Sequence, residues 1–224
     1  TEETPSGTPL ILAPAGSRDA FLAAVAAGAD AVYCGLESFS ARMAADNFSI
    51  EALASLSRLA ESKGIKVYVA FNSLIKEGEQ AASAKILDSL FRKARVHGLI
   101  VQDLAAAAFA GKLGFSGEIH LSTLGNAGFP AALDYVSELG IHQVVLPREL
   151  TIDEIKTMAS RAPDNLGLEV FVHGALCYGV SGRCYWSSWF GGKSGLRGRC
   201  VQPCRRVYEQ GDRRRRFFSC LDFS

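Results

Sequence analysis

The stretch of residues 50–72 reads IEALASLSRLAESKGIKVYVAFN and contains the unit that decides the fold. In its first part, residues 50–63, apolar side chains recur at spacings of three and four, which predicts an amphipathic helix. Gly64 comes next, at a point where glycine most easily supplies a left-handed closing residue. The short apolar run of residues 66–72 then predicts a buried strand.

The same unit recurs along the chain. Seven strands are predicted in this way, at residues 10–15, 31–35, 66–72, 98–102, 118–122, 143–147 and 168–173. Helices are predicted between them, among others at residues 19–27, 50–63, 80–97, 130–139 and 152–161. The glycines that follow four of the helices are interpreted as closing residues: Gly28, Gly64, Gly98 and Gly140.

The alternation of strands and helices implies parallel strands joined by right-handed crossovers. A near-continuous apolar strand such as residues 143–147 implies burial on both faces of the sheet. Because no glycine-rich dinucleotide-binding motif follows the first strand, we expect an α/β fold of the (β/α)8 TIM-barrel type rather than an open Rossmann sheet. The eighth strand is not visible, which leaves open a barrel that is incomplete at its C-terminal end.

Composition and charge are those of a globular protein. At 224 residues the chain is long enough for one sizeable domain and too short to assume two. Lysine plus arginine number 24 and aspartate plus glutamate 23, so the total charge gives no reason to expect nucleic acid or an anionic membrane. No apolar run approaches the roughly 18 to 20 residues that span a bilayer, and the first residues lack signal-peptide features. A cytoplasmic protein is therefore expected.

Three regions follow from these patterns. We expect a flexible polar arm at residues 1–9, a barrel-like domain at residues 10–173, and a cysteine-rich region with the start of a C-terminal part at residues 174–224. Residues 174–206 have many glycines and four cysteines but no sustained helical or alternating period. This segment is interpreted as the functional insert.

Four of the six cysteines lie close together in sequence: Cys177, Cys184, Cys200 and Cys204. In a reducing compartment such clustering indicates a metal rather than disulfides. Four thiolates can hold zinc or an iron-sulfur cluster, and the spacing leaves the metal open. The aromatic neighbours predict an apolar wall that limits water around a cluster, which favours iron and sulfur: Tyr178, Tyr185, Trp186, Trp189 and Phe190. The alternative is that the four cysteines are small buried apolar residues, as Cys34 and Cys220 are predicted to be.

Polar residues follow several predicted strands. In parallel α/β folds the C-terminal strand ends gather on one face, where sites are built. The polar residues at these ends are Asn72, Gln102, Asp103, His120, Thr123, Arg148, Glu149 and His173. Such a ring could line a pocket. The alternative is that Asp103, Glu149 and Asp153 only cap helices and that His120 is a satisfied core histidine.

Arginines are dense late in the chain, at Arg197, Arg199, Arg205, Arg206 and residues 213–216. A patch of this kind can meet phosphates. Residues 213–216 are interpreted as a solvated hairpin turn, whereas Arg199 and Arg205 flank two cysteines and are the better candidates for binding an anion or cofactor. Neither H-E-x-x-H nor G-x-S-x-G occurs, so hydrolysis has no evident catalytic group.

Several segments together carry a family resemblance. They are LAPAG at residues 12–16, GADAVY at 28–33, FSAR at 39–42, VQDL at 101–104, HGALC at 173–177, SGRC at 181–184 and RGRCVQPCR at 197–205. From about residue 10 to residue 206, the chain resembles the collagenase-like peptidase family U32. Two departures stand out: Leu124 stands where the family usually has glutamine, and the chain ends at Ser224, before a further strand of the family's pattern.

The resemblance implies a barrel-like catalytic domain with a 4Fe-4S cluster on the four clustered cysteines. The family was first named for collagen-degrading activity, but better understood members take part in oxygen-independent hydroxylation. Their substrates are a pyrimidine in tRNA or rRNA, with prephenate as the oxygen source, or ubiquinone precursors. Two further residues match the family's pattern: His173, before the first of these cysteines, and Arg42, after the second strand.

The leading hypothesis is therefore an iron-sulfur enzyme of the hydroxylation type, with tRNA or rRNA as a partner. We predict that a catalytic ring orients a small organic acid such as prephenate, and that its members are Arg42, Asn72, Gln102, His120 and His173. If the closing strand lies beyond residue 224, the exposed sheet edge can pair with another chain, so a homo- or hetero-oligomer is expected. The alternatives are a peptidase and a zinc-stabilised module that binds RNA without catalysis.

Overall fold

The computed structural model describes residues 8–43, 45–175 and 177–206, together with the backbone of residues 208–210 and 213–217. Its centre is a parallel sheet of seven strands. The strands are β1 (Leu12–Ala15), β2 (Ala31–Gly35), β3 (Lys66–Phe71), β4 (Gly98–Val101), β5 (Glu118–Leu121), β6 (Gln143–Val145) and β7 (Gly167–Glu169). Their order in the sheet is their order in the chain, and the sheet curls into a half-barrel. The predicted α/β barrel class is confirmed.

The helices alternate with the strands as the sequence predicts. They are α1 (Arg18–Ala26), α2 (Ile50–Glu61), α3 (Gln80–Lys93), α4 (Leu104–Lys112), α5 (Pro130–Glu138), α6 (Ile152–Arg161) and the short α7 (Trp186–Gly191). Because each of the first six helices returns the chain to the neighbouring strand position, the carboxyl ends of all seven strands lie at the same edge of the sheet.

Alternate residues of each strand face two different environments. On β3, Val67 and Val69 are fully buried in the main core, which lies between the sheet and the helices. The residues between them face the other side, where Ala31, Tyr68 and Ile100 form a separate small cluster. The inner face of the half-barrel therefore carries its own set of side chains.

The last strand is shorter than predicted. The apolar run of residues 168–173 predicts a longer element, but β7 ends at Glu169 and Val172 beyond it is 91% exposed. β6 has only three residues, and all three pair with β7, so no partner extends that strand further. Within the described residues, β1 and β7 have one neighbour each, and the sheet is not closed there.

Polar N-cap residues fix where four of the helices begin. The side chains of Ser17, Ser49, Asp103 and Thr151 each accept a hydrogen bond from a backbone N–H in the first turn. Asp103 therefore does cap α4, as the alternative interpretation predicted. Asp153 does not cap a helix, because it lies inside the first turn of α6.

Three of the four predicted closing glycines have left-handed backbone angles: Gly28, Gly64 and Gly140 have φ values of 79°, 72° and 75°. The prediction is wrong for Gly98, which begins β4, because α3 has already ended. A β-carbon at Gly98 would lie 2.8 Å from the Tyr68 ring. Glycine is required there because a side chain would collide with the Tyr68 ring, not because the backbone angle is left-handed.

The C-terminal region contains more regular structure than its sequence predicts. It includes α7 and an antiparallel pair, β8 (Tyr208–Gln210) and β9 (Arg213–Phe217). Residues 213–216 therefore lie in a strand, not in the predicted turn. The predicted N-terminal arm is described only from residue 8, and Cys220 lies outside the described residues. In the part of the chain that the structure describes, no helix is long and apolar enough to cross a membrane.

Candidate functional site

Residues 174–206, here called the cysteine loop, lie across the C-terminal ends of several strands. The backbone carbonyl of Leu196 accepts a hydrogen bond of 3.2 Å from the N–H of Leu74, just after β3. With its side-chain amide oriented to donate, Gln102 after β4 reaches the same carbonyl at 3.3 Å. The carbonyl of Gly198 accepts a bond of 3.1 Å from the N–H of Met43, after β2. One loop is thus attached to three strand ends.

A second attachment centres on Ser181, which is 1% exposed. Its hydroxyl accepts a hydrogen bond of 2.9 Å from Arg148, after β6, and its backbone N–H donates to the carboxylate of Glu149. Arg148 also donates to the backbone carbonyl of Cys177 at 3.0 Å. Glu149 therefore holds the loop rather than capping a helix. Burial raises the pKa of the Glu149 carboxyl, but the hydrogen bonds from Ser181 have the larger opposite effect. The pKa of Glu149 is therefore lowered.

The third attachment is an ion pair that sequence analysis did not predict. Arg197 donates two hydrogen bonds to Glu79, one to each carboxylate oxygen, from the cysteine loop to the start of α3. The bonds from Arg197 lower the pKa of Glu79 to about 2. Arg197, predicted as a phosphate contact, is therefore engaged within the protein.

Two glycines let the loop approach the strand ends closely. Gly182 and Gly198 have left-handed φ values of 69° and 72°. A β-carbon on Gly182 would overlap the backbone carbonyl of Leu124, and one on Gly198 would overlap that of Ser40. This explains the glycines of the SGRC and RGRC segments. The contact with Leu124 uses its backbone, so the departure from glutamine at that position leaves the contact in place.

The four clustered cysteines are neighbours in the structure. The Sγ atoms of Cys184 and Cys177 lie 3.0 Å and 3.9 Å from the position that a β-carbon on Gly179 would occupy. Burial raises the pKa of Cys204, and the thiols of Cys177 and Cys200 add to that rise, so these three lie within electrostatic range. Soft thiols in one loop are the donor set of an iron-sulfur cluster or of zinc. In the residues described, no three His, Cys, Asp or Glu side chains converge as they would on a metal ion.

The predicted aromatic wall forms only in part. The rings of Tyr178 and Trp186 lie 6.0 Å apart, and those of Trp186 and Phe190 lie 6.3 Å apart. Four of the five rings are nevertheless exposed, Trp189 by 84%, Tyr185 by 69%, Tyr178 by 57% and Phe190 by 51%, so the prediction of a water-excluding wall is wrong for these four. Tyr185 and Trp189, one turn apart on α7, are the most exposed of the four.

The inner face of the half-barrel holds a network that sequence analysis did not predict as a unit. Glu118 on β5 accepts hydrogen bonds from Tyr68 at 2.6 Å and from Lys66 at 2.9 Å, both on β3, and from His120 at 3.0 Å. Burial raises the pKa of Glu118, but these bonds outweigh it and lower the value to about 2. The signal was present in the sequence, because polar side chains occupy alternate, inward positions of β3 and β5.

His120 lies in the middle of β5, not at a strand end as the predicted ring required. Its side chain is 2% exposed, and its ring lies 4.5 Å from that of Tyr68. Burial lowers its pKa against the effect of Glu118, so the imidazole is neutral near pH 7. Because Nε2 donates to the Glu118 carboxylate, Nδ1 is left with a lone pair, and this buried atom has no hydrogen-bond partner within the described structure. One ring nitrogen of His120 is therefore hydrogen-bonded and the other is not, so the alternative of a satisfied core histidine holds only for Nε2.

A second polar group on the inner face was also missed. Glu169 on β7 accepts a hydrogen bond of 2.8 Å from Gln143 on β6, and burial raises its pKa. Burial likewise raises the pKa of Tyr33 on β2, while Arg42 opposes and Glu169 adds to that rise. Arg42 and Glu169 therefore both lie within electrostatic range of Tyr33.

The sequence profile of peptidase family U32 matches residues 16–223. The chain belongs to peptidase family U32. The resemblance seen in the sequence is thereby confirmed.

Relatives of this U32 chain have different names. It is 37% identical over 213 residues to Collagenase of Porphyromonas gingivalis, covering 91% of this chain and 50% of that one. It is 35% identical over 201 residues to tRNA hydroxylation protein P1 of Bacillus subtilis, covering 90% and 47%. It is 36% identical over 205 residues to a 23S rRNA 5-hydroxycytidine synthase of Escherichia coli, covering 90% and 30%. The chain spans half or less of the length of these relatives.

A solved structure of a U32 peptidase has the same fold. It matches with a TM-score of 0.61 at 14% sequence identity, covering 75% of this chain and 71% of that chain. At this identity the likeness concerns the fold alone.

The remaining predicted residues occupy three kinds of position in this U32 chain. Arg42 is exposed. The next residue, Met43, is hydrogen-bonded through its backbone to Gly198, which precedes Arg199. The backbones of Arg42 and Arg199 therefore lie near each other. Asn72 accepts a bond of 2.8 Å from a backbone N–H and Gln102 is 9% exposed, so both hold loops in place. His173 is exposed beyond the end of β7, and Arg205 is half-buried.

Proposed function

We propose that this U32 chain is the barrel part of an iron-sulfur enzyme that hydroxylates a pyrimidine in tRNA or rRNA. The proposal is supported by the cysteine loop, which carries all four cysteines and is hydrogen-bonded to the C-terminal strand ends, where α/β barrels build their sites. Relatives at 35% and 36% identity are named for tRNA hydroxylation and for the synthesis of 5-hydroxycytidine in 23S rRNA.

The proposed ligands of a 4Fe-4S cluster are Cys177, Cys184, Cys200 and Cys204. A single zinc ion would need sulfur atoms within about 3.8 Å of one another, given tetrahedral bonds of about 2.3 Å. The cluster is proposed over zinc because the resemblance to family U32 implies a 4Fe-4S cluster on these four cysteines. When bound, it supplies one-electron transfer.

The inner mouth of the half-barrel is proposed to hold a small organic acid such as prephenate, the oxygen source. Arg42 supplies a positive charge there, and the raised pKa of Tyr33 keeps its hydroxyl able to donate a hydrogen bond to a carboxylate. Burial raises the pKa of Glu169, which favours the neutral form and reduces its repulsion of an acid. Arg199 is proposed as a second cation, since its loop is bonded to the segment that carries Arg42.

His120 is proposed as a neutral proton acceptor on the inner face. The Glu118 carboxylate holds the proton on Nε2, so Nδ1 can accept a hydrogen bond from a hydroxyl or amino group. Asn72 and Gln102 are proposed as positioning residues, because their bonds join the ends of β3 and β4 to neighbouring loops. His173, exposed beside the cysteine loop, is proposed to contact substrate directly.

Three of the four histidines are engaged within the protein, which argues against a peptidase that uses one of these three to activate a nucleophile. His97 and His142 each accept a backbone hydrogen bond of 3.1 Å through Nδ1, and His120 is bonded to Glu118. The buried Ser181 hydroxyl is bonded to Arg148, a cation that cannot take its proton. In the described chain, no serine or cysteine forms a hydrogen bond with a histidine that could activate it.

Analysis of nucleosides from cells tests the proposal. Cells that lack the protein are supplied with the wild type, with Cys200→Ser or with Cys34→Ala, and their tRNA and rRNA are digested for mass spectrometry. We expect a pyrimidine heavier by one oxygen atom with the wild type and with Cys34→Ala, and its loss with Cys200→Ser. Identical nucleosides in all strains, or cleavage of a collagen peptide by wild-type protein, would contradict it.

A further inference from the structure

The two sides of α7 differ in burial. Ser187 is fully buried, and its hydroxyl accepts a hydrogen bond of 2.8 Å from the backbone N–H of Val201. Gly191, one turn later, packs directly against the Val201 side chain. Tyr185 and Trp189 are also one turn apart, joined by a backbone bond of 3.0 Å, and they are 69% and 84% exposed. The helix is thus fixed to the cysteine loop while two aromatic rings face solvent.

The charged residues that lie near these rings in the sequence are all positive. Residues 170–208 contain no aspartate or glutamate but six lysine and arginine residues. Four of these cations are exposed: Arg183, Lys193, Arg199 and Arg206. Arg183 precedes Tyr185 by two residues, and Lys193 follows Trp189 by four. The total charge of the chain, only +1, does not reveal this local excess.

Exposed aromatic rings flanked by cations suit a strand of unpaired nucleotides. Unpaired bases stack on aromatic side chains, and the cations contact the phosphates between them. A duplex offers phosphates but keeps its bases stacked on each other. We infer that Tyr185 and Trp189 form a stacking platform for the bases of single-stranded RNA, with Arg183 and Lys193 at its phosphates. The inference rests on the proposed function and names the form of RNA that the protein binds.

Binding of labelled oligonucleotides tests the platform. The purified protein is titrated into a fluorescein-labelled single-stranded RNA of twelve nucleotides and into the same sequence paired in a duplex, and anisotropy is measured. We expect tighter binding of the single strand. Trp189→Ala and Tyr185→Ala should each weaken it at least about fivefold, the lower end of what one stacked base contributes. Trp189→Phe should restore most of the affinity, because a ring is retained.

A matched control comes from outside the cysteine loop. Tyr135 on α5 is 61% exposed, so Tyr135→Ala removes a comparable aromatic ring and should leave binding unchanged. Lys193→Ala should lower the slope of log affinity against log salt by roughly 0.7, the value for one phosphate contact in a single strand. Wild-type affinity in Trp189→Ala and Tyr185→Ala, or equal affinity for duplex and single strand, overturns the inference.

The same variants separate the platform from the proposed function. If wild-type cells contain the hydroxylated pyrimidine but Trp189→Ala binds RNA normally, the platform is wrong and the proposed function stands. If Trp189→Ala weakens RNA binding but no strain contains a hydroxylated pyrimidine, the platform stands and the proposed function is wrong. Absence of RNA binding by the wild type overturns the platform, whatever the nucleosides show.

Discussion

At the scale of single residues, one carboxylate organises the inner face of the half-barrel. Glu118 accepts hydrogen bonds from Tyr68, Lys66 and His120. The effect of these bonds on the pKa of Glu118 outweighs that of burial. They lower the pKa to about 2, so the carboxyl stays ionised at neutral pH. The charge thereby sets the tautomer of His120 and leaves Nδ1 as the buried acceptor that the proposed function uses.

Replacing Glu118 by glutamine should make stability less dependent on acid pH. Its pKa is about 2 in the fold and 4.5 without the fold, so its contribution is complete above about pH 4.5 and is lost as the pH falls toward 2. Glu118→Gln should therefore lower the free energy of unfolding at pH 7, and its difference from the wild type should shrink below pH 4.5. Urea unfolding at a series of pH values measures this. Glu138→Gln, at an exposed position on α5, is the control, and a difference that grows toward acid contradicts the account.

At the scale of elements, the cysteine loop depends on close backbone contact with the strand ends. Gly198 is left-handed and touches the backbone at Ser40, whereas Gly192 is left-handed with open space around it. Gly192→Ala should cost about 1 kcal/mol for its backbone angle alone. Gly198→Ala should cost at least about 1 kcal/mol more, because the added carbon must displace Ser40. Denaturant unfolding compares the two variants, and equal costs would show that the close approach does not matter.

The ion pair between Arg197 and Glu79 should act as a unit. Removing either partner should speed hydrogen exchange at residues 194–198 and 74–79, because the pair joins these segments. The double variant should give less than the sum of the two single increases, because the shared pair is lost only once, although Glu79 also accepts a bond from the Lys76 N–H and Arg197 also donates to the Leu74 carbonyl. Exchange measured by mass spectrometry tests this, and a double variant that equals the sum of the singles contradicts it.

Local patterns predicted most elements, and non-local contacts explain the misses. β3 and α2 follow directly from the periods of residues 50–72, since each is long enough to show one. α7 has only six residues and includes a glycine, so no period is visible. β7 ends early because β6 offers only three residues to pair with. The length of a neighbouring strand cannot be read from the apolar run of residues 168–173.

At the scale of the whole molecule, the curled sheet creates a site that linear spacing does not reveal. Tyr68 and Glu118 lie on strands separated by β4, and both are paired in register with Gly98, which leaves space for the Tyr68 ring. Sequence predicted the cysteines and the strand-end polar residues, which lie in recognisable segments. The alternate polar positions of β3 and β5 were visible in the sequence, but only the fold shows that Glu118 is the shared partner of the other three side chains.

Metal content shows whether the cysteine loop holds an iron-sulfur cluster. Protein purified without oxygen is assayed for iron, acid-labile sulfide and zinc, alongside Cys200→Ser and Cys34→Ala, whose buried thiol lies in β2 away from the loop. We predict about four irons and four sulfides per chain in the wild type and in Cys34→Ala, and their loss in Cys200→Ser. Zinc without iron, or iron that Cys200→Ser leaves unchanged, would contradict the account.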